Sequence, residues 1–546
     1  MSYNPSVGTL PSEVRTTGPM GAAWTTTITQ DPARGSPLTS KDANDRVTTA
    51  QYDALGRVTA VWAPDRPTAE LPTQKYSYSV KGTTGPSTVK TEWINDDATT
   101  YSANVDLYDG LDRLRQSQRT SDAKPTGRLI TDTVYDTHGW AIKTSDPYYE
   151  ASSFPNESIF MPANDGQVPG QAWNTYDGNG RIVRSEFRSY GNLQWATTLA
   201  YPGADRTDTT PPSGASPAST VTDARGRTTA AWQYRTPTAT GNPADADVTT
   251  YNYTPAGLPA SHTDSSGNTW TSTYDLLGRQ VSATDPDTGT TQTFYDAKSQ
   301  IDHTVDAKGN VLAYTYDLLG RRTGLYNSSV APANQLASWT YDSLVKGLAT
   351  SSTRYVGGAT GAAYTTAVTG YDTAYRPLGI SVTIPKSTDG PAGAIPANED
   401  AFAGTYTTTN TYSPVIGSLT KVGIPAAGGL PAETVSMGRT ITGLLTSSAS
   451  LSKAVVAQVA YDALARPVRT TVGEYGKQVV STQQYDWATG RVINSFVDRQ
   501  LGTTSLDQTT YTYTPSGRIT ARAGNLSAAE QLDRAEEVRK AAAAKQ

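Results

Sequence analysis

The carboxylates that could do chemistry in this chain recur in one setting. Tyrosine and aspartate, followed by glycine and arginine, appear as Tyr52-Asp53-Ala54-Leu55-Gly56-Arg57, Tyr176-Asp177-Gly178-Asn179-Gly180-Arg181, Tyr274-Asp275-Leu276-Leu277-Gly278-Arg279 and Tyr316-Asp317-Leu318-Leu319-Gly320-Arg321. Tyr461-Asp462-Ala463-Leu464-Ala465-Arg466 repeats the pattern with alanine in the glycine's place. A row of aspartates invites comparison with the acid and base pair of a glycosidase. Their coincidence with turn glycines favours another use: the carboxylate accepts hydrogen bonds from the amides ahead of it, and glycine supplies the positive φ that ends a hairpin loop. Arginine then opens the next strand. Pairing with acidic neighbours across strands is its simpler role, and a ligand-binding row the sharper alternative.

The other candidate groups are sparse. His262 and His303 lie nine and eight residues after their local tyrosines, Tyr253 and Tyr295, so strand alternation sends them to opposite faces and weakens a shared metal or acid–base site. His138 stands apart, and all three read as structural histidines. Asn95-Asp96-Asp97 is acidic enough for calcium but lacks the ligand spacing of an oxygen-rich loop, so a solvated turn is favoured. No catalytic, metal or cofactor site is expected, and a β-rich carbohydrate hydrolase is disfavoured because no carboxylate pair stands out.

The spacing of these motifs shows what must position them. Tyr253, Tyr274, Tyr295 and Tyr316 follow one another every 21 residues. Gly257, Gly278 and Gly320 follow their tyrosines by four positions, with Ser299 in the same place, and second breaks come at Asp264 to Gly267, Asp285 to Gly289 and Asp306 to Gly309. Two turns and two short strands therefore fill each unit, which predicts a β-hairpin repeat that buries its faces only by joining its neighbours. Tyrosines two apart, such as Tyr314 and Tyr316, predict aromatic ladders between strands. Looser copies at Tyr108-Asp109, Tyr135-Asp136, Tyr341-Asp342, Tyr371-Asp372, Tyr485-Asp486 and Tyr513 extend one architecture over roughly residues 41 to 520.

Composition agrees. The 546 residues are 36% hydrophobic, with 32 tyrosines against 6 phenylalanines, which suits thin sheets with wet faces better than a thick core. A net charge of -5 and the absence of a basic stripe argue against a nucleic-acid partner. No apolar run is long enough to predict membrane insertion by a helix, and zero cysteines remove disulfide and thiolate chemistry. The amino terminus shows no signal-like apolar segment, so export would need another route.

The expected organisation is an extended segment leading into the repeats over 1–40, a repeat shell over 41–377, an irregular insertion or longer hairpins over 378–458, more repeat over 459–520 and a helical tail or linker over 521–546. The insertion is suggested by Gly-, Pro- and Ala-rich stretches such as Pro425-Ala426-Ala427-Gly428-Gly429. The tail is suggested by Ser527 with Glu530, a capping-box pattern ahead of helix formers.

On these motifs the chain resembles the Rhs/YD-repeat family of bacteria, which is similar in repeat architecture to Tc toxin C subunits and teneurin shells. The resemblance implies an all-β fold in which antiparallel hairpins join into a large spiralling sheet or hollow shell, open or partial. It implies a noncatalytic scaffold that encapsulates or supports a polymorphic toxin in bacterial competition, secreted or associated with the cell surface, with toxin cargo or other shell segments as partners. Family members carry paired Asp-Pro motifs for self-cleavage after the repeats. Here Asp31-Pro32, Asp146-Pro147 and Asp285-Pro286 lie elsewhere, so that role is assigned to no residue, and too little chain follows residue 520 for a folded toxin. The alternative is an extracellular adhesion or glycan-binding scaffold, with Trp173, Trp232 and Trp270 as sugar platforms and a cell-surface glycan or protein as partner.

Overall fold

The computed structural model describes residues 2–4, 13–18, 21, 24–82, 84–450, 453–500 and 505–524. The described strands form a 41-stranded antiparallel sheet, and no pairing joins its first strand, Ser2–Asn4, to its last, Ile519–Gly524. Almost every strand pairs with its neighbour in sequence, as a hairpin array requires. The chain divides into two compact units: Met1–Tyr76 with Val248–Val435, and Ser77–Asp247 with Ser436–Gln546.

The first unit holds the most regular repeats. Strands Thr269–Tyr274, Gln280–Asp285, Gly289–Tyr295, Ile301–Val305 and Val311–Tyr316 alternate with four short turns. Only Ala313 in this stretch is buried. Threonine hydroxyls face each other across strands instead, as between Thr263 and Thr269 at 2.9 Å and between Thr284 and Thr290 at 2.8 Å. The hairpin between Pro377–Ile384 and Gly404–Tyr412 is widened by a loop with short 3-10 turns at Ser387–Asp389 and Ala397–Phe402. In the segment leading into the repeats, Thr25–Gln30 and Pro37–Lys41 already pair as ordinary strands.

The second unit contains a true core. Leu107, Ile130 and Val105 are buried on strands Tyr101–Tyr108 and Arg128–Tyr135. Asp146-Pro147 interrupts the next strand, because proline has no N–H for the ladder. Ala141–Ser145 and Tyr148–Glu150 consequently share one partner, Arg128–Tyr135. Residues 151–168 then cross back as a strap, and Phe160 and Val168 close over Ile130 and Tyr148. The last described strand reaches Gly524, four residues into the stretch read as tail, and the remainder of that stretch, with Ser527 and Glu530, lies outside the described residues.

Candidate functional site

The repeated Tyr-Asp-Gly-Arg set is the most consistent constellation in the molecule. In the turn after Tyr274, Asp275 Oδ1 accepts from the N–H groups of Leu277 and Arg279, both at 2.9 Å, and Oδ2 accepts from Arg279 Nε at 2.6 Å. The Asp275 N–H donates to the Arg279 carbonyl at 2.9 Å and the Gly278 N–H to the Asp275 carbonyl at 3.0 Å. Gly278 sits at φ +79°, and the register slips at Tyr274, the bulge that a three-residue hairpin loop makes. Asp53, Asp177, Asp317 and Asp462 bind Arg57, Arg181, Arg321 and Arg466 in the same way. Gly56, Gly180 and Gly320 take positive φ, and Ala465 is held at φ +61°, where its Cβ is strained. The arginine thus first grips the aspartate of its own turn, four residues back; Arg321 also reaches the acid of the next turn, donating from Nη1 to Asp342 Oδ1 at 2.8 Å and pairing with its second oxygen. The planar guanidinium reaches that carboxylate with two nitrogens at once.

These bonds fix the ionisation of the turn acids. The backbone N–H of the arginine four residues on is the largest influence on Asp53, Asp177 and Asp275, and it holds each carboxyl below its usual range. Asp97 is held down to about 2, first by the Thr100 hydroxyl and then by the backbone amides of Thr100 and Thr99. It caps its own turn, and no group of three or more metal-ligating side chains gathers among the described residues.

The tyrosine does something that the motif alone does not announce. Tyr274 donates its hydroxyl to the Pro259 carbonyl at 2.8 Å, Tyr295 to Gln280 at 2.9 Å and Tyr316 to Ile301 at 2.9 Å, each 15 residues back. Tyr52, Tyr176 and Tyr461 make the same bond to the carbonyls of Pro37, Ala141 and Leu445. In every case the acceptor is the second residue after the glycine position of the preceding turn. The ring itself lies under that turn's arginine: Arg279 is 4.6 Å from the Tyr295 centroid, Arg321 4.3 Å from Tyr341 and Arg466 4.5 Å from Tyr485. One arginine therefore closes its own turn and clasps the next repeat. The signal in the sequence is the glycine position of the preceding turn, two residues ahead of the acceptor, which lies 15 residues back in the regular repeats, 16 at Tyr461 and 35 at Tyr176, and not the tyrosine pairs.

The remaining candidates are separated. His138 stacks on Trp140, His303 on Phe294 at 4.3 Å, and His262 lies between Tyr251 and Trp270, with 4.6 Å and 3° between the His262 and Trp270 rings. That row is an aromatic ladder, with Tyr251, His262 and Trp270 in register on three strands. The three tryptophans are engaged too. Trp270 gives one face to His262 and its Nε1–H to Asp285, Trp173 packs against Arg188 and Lys143, and Trp232 meets Tyr234 and Arg206.

The sequence model described as RHS Repeat matches residues 253–290, the stretch that contains the Tyr274 bond to Pro259 and the Asp275–Arg279 turn. This segment is an RHS repeat. No curated protein matches the chain in sequence. Among solved structures it resembles TcdB2-TccC3, with a TM-score of 0.74 and 19% identity over 94% of this chain and 28% of that one. TcdB2-TccC3 without its hypervariable C-terminal region gives 0.74 and 17% over 94% and 30%. The Photorhabdus luminescens Tc holotoxin pore gives 0.73 and 16% over 95% and 30%. The RHS repeats thus build a YD-shell fold, and the chain spans less than a third of the length of these structures. Among the described residues no helix is long and apolar enough to cross a membrane.

Proposed function

We propose that this chain is a noncatalytic RHS-repeat scaffold that encloses or supports a toxin cargo in bacterial competition or toxin delivery. The observation that carries this reading is the fold, shared with TcdB2-TccC3 over 94% of the chain. The repeat chemistry supports it, because the recurrent aspartates, arginines and tyrosines are spent on holding hairpins to one another. The glycan alternative is weaker, since Trp173 and Trp270 have ring faces covered by other side chains.

Co-expression with the polypeptide encoded immediately downstream tests the proposal. The cargo should copurify with the chain and resist a protease that digests it when alone. A cargo that does not copurify, or is cut as fast with the chain as without it, overturns the enclosing role. Separately, the purified chain should leave carbohydrate, peptide and nucleic-acid substrates unchanged. Turnover abolished by one carboxylate or histidine substitution refutes the noncatalytic half.

A further inference from the structure

Tyr375 stands where the repeat calls for glycine. In the turn Asp372 to Arg376 it holds the position that Gly278 holds in the turn Asp275 to Arg279, and its φ is +64°. The turn is otherwise built like the others: Asp372 Oδ1 accepts from the N–H groups of Ala374 and Arg376, both at 2.9 Å, and Oδ2 accepts from Arg376 Nε at 2.6 Å. A bulky side chain in the left-handed region is costly, and such a cost persists only where the surroundings offset it. Among the described residues Tyr190 is the only other aromatic at positive φ.

The compensation lies 333 residues earlier in the chain, within the same unit. The Tyr375 hydroxyl donates to Asp42 Oδ2 and accepts from Asn44 Nδ2 at 3.1 Å. Beside it, Asn44 donates to the Lys346 carbonyl at 3.0 Å and accepts from the Lys346 N–H at 2.9 Å, and Lys346 Nζ donates to the Ala43 carbonyl at 2.8 Å. These bonds tie the turn Asp42 to Arg46 to the turns after Tyr341 and Tyr371. All five residues are only partly buried. The second unit makes its contact differently: Ser121 donates to the Ala463 carbonyl at 2.6 Å, and both residues are buried.

The tyrosine stands in another residue's place. Asp42 caps its turn through Oδ1, which accepts from the N–H groups of Asn44 and Arg46 at 2.8 and 3.0 Å. An arginine lies four residues on, as it does after Asp53 and Asp223, where the Nε of Arg57 and of Arg227 donates to the second carboxylate oxygen at 2.7 and 2.8 Å. At Asp42 the Tyr375 phenol holds that oxygen. Arg46 is turned toward Asp65 instead, 3.6 Å away, and its buried Nε has no hydrogen-bond partner. One carboxylate oxygen therefore has two claimants, and the structure shows the distant one in possession.

We infer that Asp42, Tyr375 and Arg46 form a two-state latch. In the closed state Tyr375 holds Asp42 and the turns are joined. In the open state Arg46 Nε takes Asp42 Oδ2, the turn completes the pattern of Asp53–Arg57, and the turns at Lys346 and Tyr375 come away. No strand pairing has to break, because turn residues alone make the contact. The closed state carries the unpartnered guanidinium N–H, and the open state gives up the bonds of Asn44 and Lys346. Opposed costs of this kind let the turns part and rejoin. The latch is a property of the first unit and does not depend on a cargo.

Hydrogen exchange resolved to single amides in the full chain tests it. The Lys346 amide is the reporter, because it donates across the contact to Asn44. Tyr375→Phe removes the distant claim on Asp42 and should speed Lys346 exchange by roughly threefold to tenfold, the worth of one hydrogen bond. Arg46→Met removes the competing claim and should slow it, the opposite of what loss of a merely structural arginine does. In both variants the ladder between Pro37–Lys41 and Val47–Tyr52 should exchange as before. A Lys346 rate unchanged by Tyr375→Phe overturns the latch, and a rate unchanged or raised by Arg46→Met overturns the exchange of partners. Faster exchange along the ladder in either variant overturns an opening confined to the turns.

Discussion

The regular repeats between Thr269 and Tyr316 and the strapped region between Tyr101 and Val168 are the same kind of sheet held in different ways. The first has one buried residue, Ala313, and depends on clasps that recur at each hairpin. The second buries Leu107 and Ile130, and beside them the polar Gln116 and Gln118, whose amides bind the strap through the backbone of Phe160, Ser158 and Asn156. Arg128 completes that network on Gln118 at 2.7 Å and Glu150 at 2.9 Å. A hairpin sheet therefore has no need of a core where each repeat ties the one before it. Where a strap covers the sheet, polar side chains must be fully paired, and stability becomes concentrated in a few residues.

The sharpest way to break this contrast is Arg128→Met, which strands Glu150 and Gln118 in a buried site. The expected cost is about 3 to 5 kcal/mol, read as lost hydrogen-exchange protection over strands Tyr101–Tyr108 and Arg128–Tyr135. Unchanged protection there would mean that the network does not hold the strap. In the regular repeats, Gly278→Val forces a β-branched residue into positive φ and should cost about 2 kcal/mol, confined to the hairpin around it. Loss of protection throughout the first unit would show cooperativity that a chain of local clasps does not provide. Tyr295→Phe removes one hydroxyl bond, to the Gln280 carbonyl, and should cost about 1 kcal/mol. In a double-mutant cycle of Tyr295→Leu with Arg279→Ala the two changes should fail to add, because ring and guanidinium touch; strict additivity would remove the clasp.

Smaller effects sharpen the comparison. Ala465→Gly relieves positive φ in the turn whose Ala463 carbonyl accepts from Ser121 and should stabilise it by roughly 0.5 to 1 kcal/mol, visible as slower exchange of the Arg466 amide. Acid should act on the turns that aspartates cap. Their folded carboxyls lie below their unfolded values, so the stabilisation is present above about pH 4 and is lost as pH falls through the folded values, near 2 for Asp97. Exchange measured from pH 5 downward, corrected for the intrinsic rate, should open the Asp97 and Asp275 turns across that window, and an Asp97→Asn variant should lack the pH-dependent part at its own turn.

The hairpins were legible because their causes are local. Asp275, Gly278 and Arg279 carry the turn within five residues, and the period repeats it. The clasp was half legible: the arginine was assigned to cross-strand acids because nothing local says that one guanidinium serves its own aspartate and the next tyrosine. The strap was hidden, since Gln116 and Gln118 read as the polar face of a wet strand until residues 156–160 arrive over them. Contacts such as Asn44 with Lys346 were hidden for the same reason, being made by short polar residues 302 residues apart with no pattern linking them.

The tyrosine clasp gives the array a direction. Each hydroxyl reaches backward to a carbonyl at the preceding turn, 15 residues earlier in the regular repeats, and where that turn carries an arginine, as at Arg279, the ring is received by a guanidinium already in place. A polypeptide leaving the ribosome amino end first therefore presents the receiving half of every joint before the inserting half. Each hairpin can lock as soon as its own tyrosine emerges, without waiting for anything downstream. Built in the opposite order, every new hairpin would offer an unfilled tyrosine to solvent. Synthesis and structure run the same way, and the growing end of the sheet is always the end that has yet to be translated.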